Sequence, residues 1–165
     1  MRLFLTKGAL SESLTWGLNC HGGKMRPDYS CRNDPQSVDI GASARLEVFW
    51  KKLPIGKGPA VSLFILDEEI LRIDCFGEEL GHMHASFFHP VEGEHRLFMP
   101  EKTVEAQIER ARFELCRNYS YYQSRVANAG VRKVKIEDSQ IVAASDRACE
   151  IMIGFLASPH FAEMP

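Results

Sequence analysis

Gly81-His82-Met83-His84-Ala85-Ser86-Phe87-Phe88-His89 holds three of the chain's six histidines, and His95 follows closely. Short runs of mixed polar and apolar residues flank it, Leu71-Arg72-Ile73-Asp74-Cys75-Phe76 before and His95-Arg96-Leu97-Phe98-Met99 after. Turn-rich Gly77–Gly81 and Pro90–Glu94 separate the runs, so the pattern predicts a three-stranded antiparallel meander.

Successive strand residues point to opposite faces, and a tight hairpin fixes which residues stand opposite one another. The loop lengths set Phe76 opposite His82, Asp74 opposite His84 and Arg72 opposite Ser86. In the second hairpin they set His89 opposite His95, Phe88 opposite Arg96 and Ser86 opposite Phe98. One face then carries Arg72, Asp74, His82, His84, Ser86 and Arg96 among Phe76, Phe88 and Phe98. The other carries Leu71, Ile73, Cys75, Met83, Ala85, Phe87, Leu97 and Met99, with His89 and His95 at its end. The second set is a core face; the first mixes cations, an acid, imidazoles and aromatic rings, as binding and catalytic surfaces do.

Working outward, Ala44–Trp50 alternates Leu46, Val48 and Trp50 with Arg45, Glu47 and Phe49, the pattern of a half-buried strand. Leu53–Pro59 makes a turn. Ala60–Leu66 is apolar at nearly every position and predicts a central strand covered on both faces. Asp67-Glu68-Glu69 closes the next hairpin, giving five antiparallel strands in sequence. After Met99 the period changes. Val104, Ile108, Ala111, Leu115, Tyr119, Tyr122 and Val126 recur at three- and four-residue intervals, and Pro100 suits a first helical position. The helix runs from near Glu101 to near Asn128, stopped by Gly130, and at ~1.5 Å per residue it spans ~40 Å, enough to cross the sheet. Glu101 and Glu105 favour its N-terminal dipole. Val131–Ile136 reads as an edge strand guarded by its lysines, and Gln140–Leu156 as a closing helix capped by Asp138 or Ser139.

The expected fold is α+β: an antiparallel meander of five or six strands, with the long helix packed on one face and a second, C-terminal helix beside it. The chain of 165 residues, 45% apolar and 25% charged, suits one domain. Within it, residues 1–42 read as a loop-rich arm pinned by Trp16, 43–99 as the sheet, 100–129 as the long helix, and 130–165 as the edge strand and final helix.

Twenty basic against 22 acidic residues give a formal charge of -2, so no bulk attraction to nucleic acid or anionic membrane is expected. The five cysteines, Cys20, Cys31, Cys75, Cys116 and Cys149, are odd in number and lack a C-x-x-C pair, which predicts reduced thiols and a cytoplasmic protein. Cys20, His21 and Cys31 read as loop residues with free thiols rather than a zinc site, which needs four closely paired ligands. Met1–Lys7 is too short an apolar run for a secretory signal, and no run approaches the ~18 apolar residues of a spanning helix. Apolar residues surround more than one stripe of the last helix, including Ile141, Ile151, Met152, Ile153 and Phe155, and this excess predicts a homodimer centred near Ile153. The competing expectation is that Leu14, Trp16 and Leu18 of the arm cover the same surface.

Three chemistries fit the histidine face. His82 and His84, two apart on one strand, offer two ligands to zinc, iron, manganese or nickel, with Asp74 or Glu101 adding a carboxylate. Without a metal, Asp74 orients His84 as a general base while Arg72 and Arg96 neutralise a small anionic ligand or a developing oxyanion, an arrangement suited to phosphodiester cleavage. In the third, the histidines are surface or satisfied core groups of a non-enzymatic binding module. Ser86 lacks a Gly-x-Ser-x-Gly elbow, Cys75 on the buried face is inert, and no Gly-rich phosphate loop is present.

His82-x-His84, preceded by Gly81, resembles the cupin metal motif over fewer than ten residues. His89 stands near that family's Glu, and the second cupin motif is absent. An Arg-x-Asp strand, a His-x-His strand, then Pro and a helix is similar in layout to small bacterial toxins of toxin–antitoxin pairs.

Overall fold

In a computed structural model of the chain, residues 31–41, 43–85 and 96–162 are described. Six antiparallel strands follow one another in meander order: β1 Arg32–Gly41, β2 Ala44–Leu53, β3 Gly56–Ile65, β4 Glu68–Asp74, β5 His82–Ala85 and β6 Leu97–Phe98. β2 and β3 pair without interruption from Ala44↔Ile65 to Leu53↔Gly56 across the turn at residues 54–55. The alternation expected in β2 is realised: Leu46, Val48 and Trp50 enter the main core while Phe49 is buried on the opposite face. β3 is buried at eight successive positions, Gly58–Ile65, as a central strand covered on both faces requires.

Two backbone features place the polar face. The β3–β4 turn has both central residues, Leu66 and Asp67, in the left-handed region (φ 50° and 60°), whose twist matches that of the flanking strands. A bulge beside Leu63 and Phe64 then sets Phe64 opposite Glu69 but Ser62 opposite Arg72. Glu69 and Arg72, three residues apart, therefore share a face that regular alternation would deny one of them.

The helices cover the other face. The long helix comprises α1 Val104–Phe113, a π-helical segment Glu114–Asn118 and α2 Tyr119–Arg125. It starts at Thr103, whose Oγ1 accepts the Ala106 N–H at 3.2 Å, and not at Pro100. α3 Ala129–Lys133, α4 Asp138–Ala157 and α5 Pro159–Ala162 follow. α4 packs on β1, β2 and β3, while the long helix lies against α4 and reaches β4 through α2. Ile108, Leu115 and Tyr119 are buried in the same cluster as Ile73 and Met83, as the three- and four-residue spacing predicts. Trp50 ties α4 and α5 to the sheet, stacked on Phe161 at 5.3 Å and edge-on to Phe155 at 6.5 Å.

Two expectations are corrected. Residues 32–41, read as loop, form the sixth strand. Asn33, Asp34, Pro35 and Gln36 suggest a break because the strand is bulged there, with Asp34 at φ 48°. Residues 131–136 form no strand: Asn128 caps α3 through Gly130 N–H, and Gln123 Nε2 donates to the carbonyls of Val131 and Val134 at 2.8 and 2.6 Å. Those carbonyls are thereby taken from any ladder. The apolar excess of α4 is mostly used within the chain, since Ile141, Ile151, Met152 and Phe155 are buried and only Val142 and Ile153 remain as exposed large apolar side chains. The arm residues Leu14, Trp16 and Leu18 lie outside the described residues. No helix among the described residues is long and apolar enough to cross a membrane.

Candidate functional site

Three strands supply the site. β4 and β5 pair with Asp74 opposite His82 and Arg72 opposite His84, two residues displaced from the expected register. An even displacement preserves the face, so all four side chains still point the same way. β2 contributes Lys51 from beyond β3. On this face β3 presents Gly58 opposite Lys51 and Ala60 opposite Asp74, and these small residues leave the lysine room to cross. A Cβ at position 58 would collide with the Cys75 carbonyl, so glycine is required there.

Asp74 Oδ2 is the point of convergence. Lys51 Nζ donates to it at 2.7 Å, while His82 Nε2 and His84 Nε2 stand 3.3 and 3.5 Å away. Arg72 Nε lies 3.7 Å from Oδ1, and Arg72 Nη1 is the same distance from Glu69 Oε2. Asp74, His82, His84 and Lys51 are all buried. Burial alone would push the Asp74 carboxyl up, but Arg72, the two imidazoles and Lys51 together hold it well below the usual carboxylate range. Burial, with the charge of Arg72 adding to it, pushes His84 down to about 4 against the pull of Asp74. His84 is therefore a neutral imidazole at neutral pH.

His82 is fixed from behind. Its Nδ1 lies 2.7 Å from the Leu80 carbonyl, an acceptor that leaves Nδ1 as the protonated nitrogen. Its ring stands 5.7 Å from Phe76 and 5.8 Å from Phe98. With Nδ1–H so committed, Nε2 is the nitrogen turned to the Asp74 carboxylate, 3.3 Å from Oδ2, and it makes no full hydrogen bond among the described residues. A cation lying between this nitrogen and the carboxylate would be attracted by both. The ligand atoms of Asp74, His82 and His84 all lie within 4.8 Å of one another, a grouping that can hold a metal ion.

The polar face continues beyond this group. Arg32 bridges Glu47 and Glu69 at 2.9 Å each and lies over the Phe49 ring. Ser62 donates to the same Glu69 oxygen, and Arg45 joins Glu47 to Asp67. Sequence reasoning missed Lys51, Glu69 and Arg32. Lys51 is the next same-face residue after Phe49, so extending β2 by one residue would have found it; the bulge hid Glu69.

Of the other residues singled out from sequence, Arg96 stands half-buried just before β6, two positions ahead of His82's partner Phe98. Glu101 stands outside the Asp74–His82–His84 group. Its carboxylate lies 3.9 Å from Arg110 and its carbonyl accepts from Gln107 Nε2 at 2.8 Å, both at the foot of the long helix. Cys75 is fully buried, and burial first, then the Asp74 charge, pushes its thiol well above the usual value, consistent with an inert cysteine. Ser86, His89, His95, Cys20 and His21 lie outside the described residues. No protein-family model, curated protein or solved structure matches the chain.

Proposed function

We propose that Asp74, His82 and His84 bind one divalent transition-metal ion, and that this ion is the working centre of the protein. The observation that carries the reading is the buried Nε2 of His82, turned by the Nδ1–H bond to Leu80 toward the Asp74 carboxylate 3.3 Å away, where His84 Nε2 also converges. A backbone carbonyl behind an imidazole is the usual device for presenting the other nitrogen to a metal. Ligands ~2.0–2.1 Å from a tetrahedral ion stand ~3.3–3.4 Å from one another; the two histidine-to-Asp74 separations, 3.3 and 3.5 Å, match this, and the full span of up to 4.8 Å has to contract when the ion binds. Two imidazoles and one carboxylate suit zinc or iron, and also manganese or nickel, and three protein ligands leave positions open for a ligand or substrate. Such an ion acts as a Lewis acid or activates bound water.

A second reading rests on Lys51, whose ammonium already sits on the Asp74 oxygen that a metal would share. In it Asp74 orients His84 as a base, and Lys51, Arg72 and Arg96 hold an anion, as in phosphodiester cleavage. A histidine held at about 4 is a weak base at neutral pH, and for that reason the metal reading is preferred.

Zinc titration of chelator-treated protein by calorimetry separates the two. The metal reading expects a one-to-one complex that His82→Ala and His84→Ala weaken by at least tenfold. An isotherm that either substitution leaves unchanged would overturn it.

A further inference from the structure

Among the described residues, the buried charged side chains of the polar face are balanced before any ion enters, Arg32 and Lys51 against Glu69 and Asp74. Partly buried Arg72 and Glu47 join them into one chain of ion pairs, and Arg45 and Asp67 extend it toward solvent from Glu47. A divalent cation on Asp74 breaks that balance by two positive charges in a space where uncompensated charge is costly. It also shares the Asp74 oxygen that neutralises Lys51. The ion has open positions beside two cationic side chains, one a compact ammonium and the other a planar guanidinium suited to paired oxygens.

We propose, on the basis of the metal reading, that the ion-loaded site takes a doubly charged oxyanion of the phosphate class, held jointly by the ion, Lys51 and Arg72. Its approach is from the Arg72–His84 side. Side-chain exposure rises from 0% at Asp74 and 1% at His82 to 6% at Lys51, 9% at His84 and 13% at Arg72, so this cross-strand pair forms the outer rim. Both charges of the ligand are then used, because the dianion offsets the ion while the existing ion pairs stay intact.

Cobalt(II) serves as the probe, since its visible absorption reports its ligands. Protein loaded with one equivalent of cobalt is titrated with inorganic phosphate, with phenyl phosphate and with acetate. The expected result is a saturable one-to-one spectral change with phosphate and none with acetate at equal concentration, weakened at least tenfold in Lys51→Met and Arg72→Met that still bind cobalt. Arg72→Met, at the rim, carries the comparison if the buried Lys51→Met fails to fold. A response to phenyl phosphate assigns the ligand as a monoester, and a response to inorganic phosphate alone assigns the free ion; both support the proposal. Bound cobalt whose spectrum ignores phosphate, or responds equally in both variants, overturns it and leaves the metal reading standing. Failure to bind cobalt stoichiometrically overturns both. Equal phosphate binding by the metal-free chain, read by phosphorus NMR, overturns it in favour of the metal-free anion site.

Discussion

Lys51 Nζ and Asp74 Oδ2 are 2.7 Å apart with both side chains buried, although their strands are separated by β3. Removing one member of such a pair leaves the other charge stranded in low dielectric. Asp74→Ala is therefore expected to lower the unfolding free energy of the metal-free protein by about 3–5 kcal/mol, measured by urea denaturation at pH 7. A loss below about 1 kcal/mol, typical of exposed pairs, would show that water reaches the pair.

Acid lability should begin well above the carboxylate range. His84 titrates at about 4 in the folded chain against an ordinary 6.5. Between those values the unfolded chain takes up a proton that the folded chain refuses, so stability falls as pH is lowered through this window. The contribution of His84 reaches ~1.4 kcal/mol per pH unit. Asp74, held below its ordinary range, stabilises the fold above about pH 4 and loses that contribution below it. Urea midpoints of the metal-free protein from pH 7 to 4.5 should show this slope, and His84→Gln should flatten it. Equal slopes in the two proteins would mean that His84 is solvated.

Leu115, within the π-helical segment, is 1% exposed, whereas Ile153 on α4 is 52% exposed. Leu115→Ala should destabilise by about 2–5 kcal/mol, and Ile153→Ala by no more than about 0.5 kcal/mol. Similar losses at the two positions would mean that Ile153 is covered in solution, as the homodimer expected from sequence requires.

Gly81 precedes His82 and lies against Gln107, whose Oε1 accepts the Gly77 N–H at 2.9 Å and whose Nε2 donates to the Glu101 carbonyl at 2.8 Å. A Cβ at position 81 would overlap the Gln107 carboxamide, which is fully buried and cannot swing aside without losing both bonds. Gly81→Ala should cost about 1–3 kcal/mol, and Gln107→Ala in the same background should recover part of the loss. A double variant no more stable than Gly81→Ala would assign the cost to the backbone.

The sharing of a face by Arg72, Asp74, His82 and His84 was legible in the sequence because alternation survives any even error in register. The partners themselves are not legible: the breakers Gly77–Gly81 imply a five-residue loop and set Asp74 opposite His84, whereas the pairing stops at Asp74 and sets it opposite His82. Lys51 carries no sequence signal because the apolar alternation of β2 ends at Trp50, although pairing continues to Leu53↔Gly56. β1 was hidden by breakers that the structure accommodates in a bulge. The long helix was legible in its periodicity, but its π-helical segment leaves no mark on the spacing of apolar residues. The convergence of Lys51, His82 and His84 on one oxygen is a property of three strands together, which no single window of sequence carries.

Metal content of the isolated protein decides whether Asp74, His82 and His84 hold an ion. Protein produced without a histidine tag in medium containing zinc, iron, manganese and nickel, purified without chelators, is analysed by inductively coupled plasma mass spectrometry. About one equivalent of a single transition metal per chain is expected, reduced to below about a tenth of an equivalent in a folded His82→Ala, His84→Ala double variant. Metal-free wild-type protein that also takes up none on dialysis against these ions, or metal retained in full by the double variant, would contradict the metal reading.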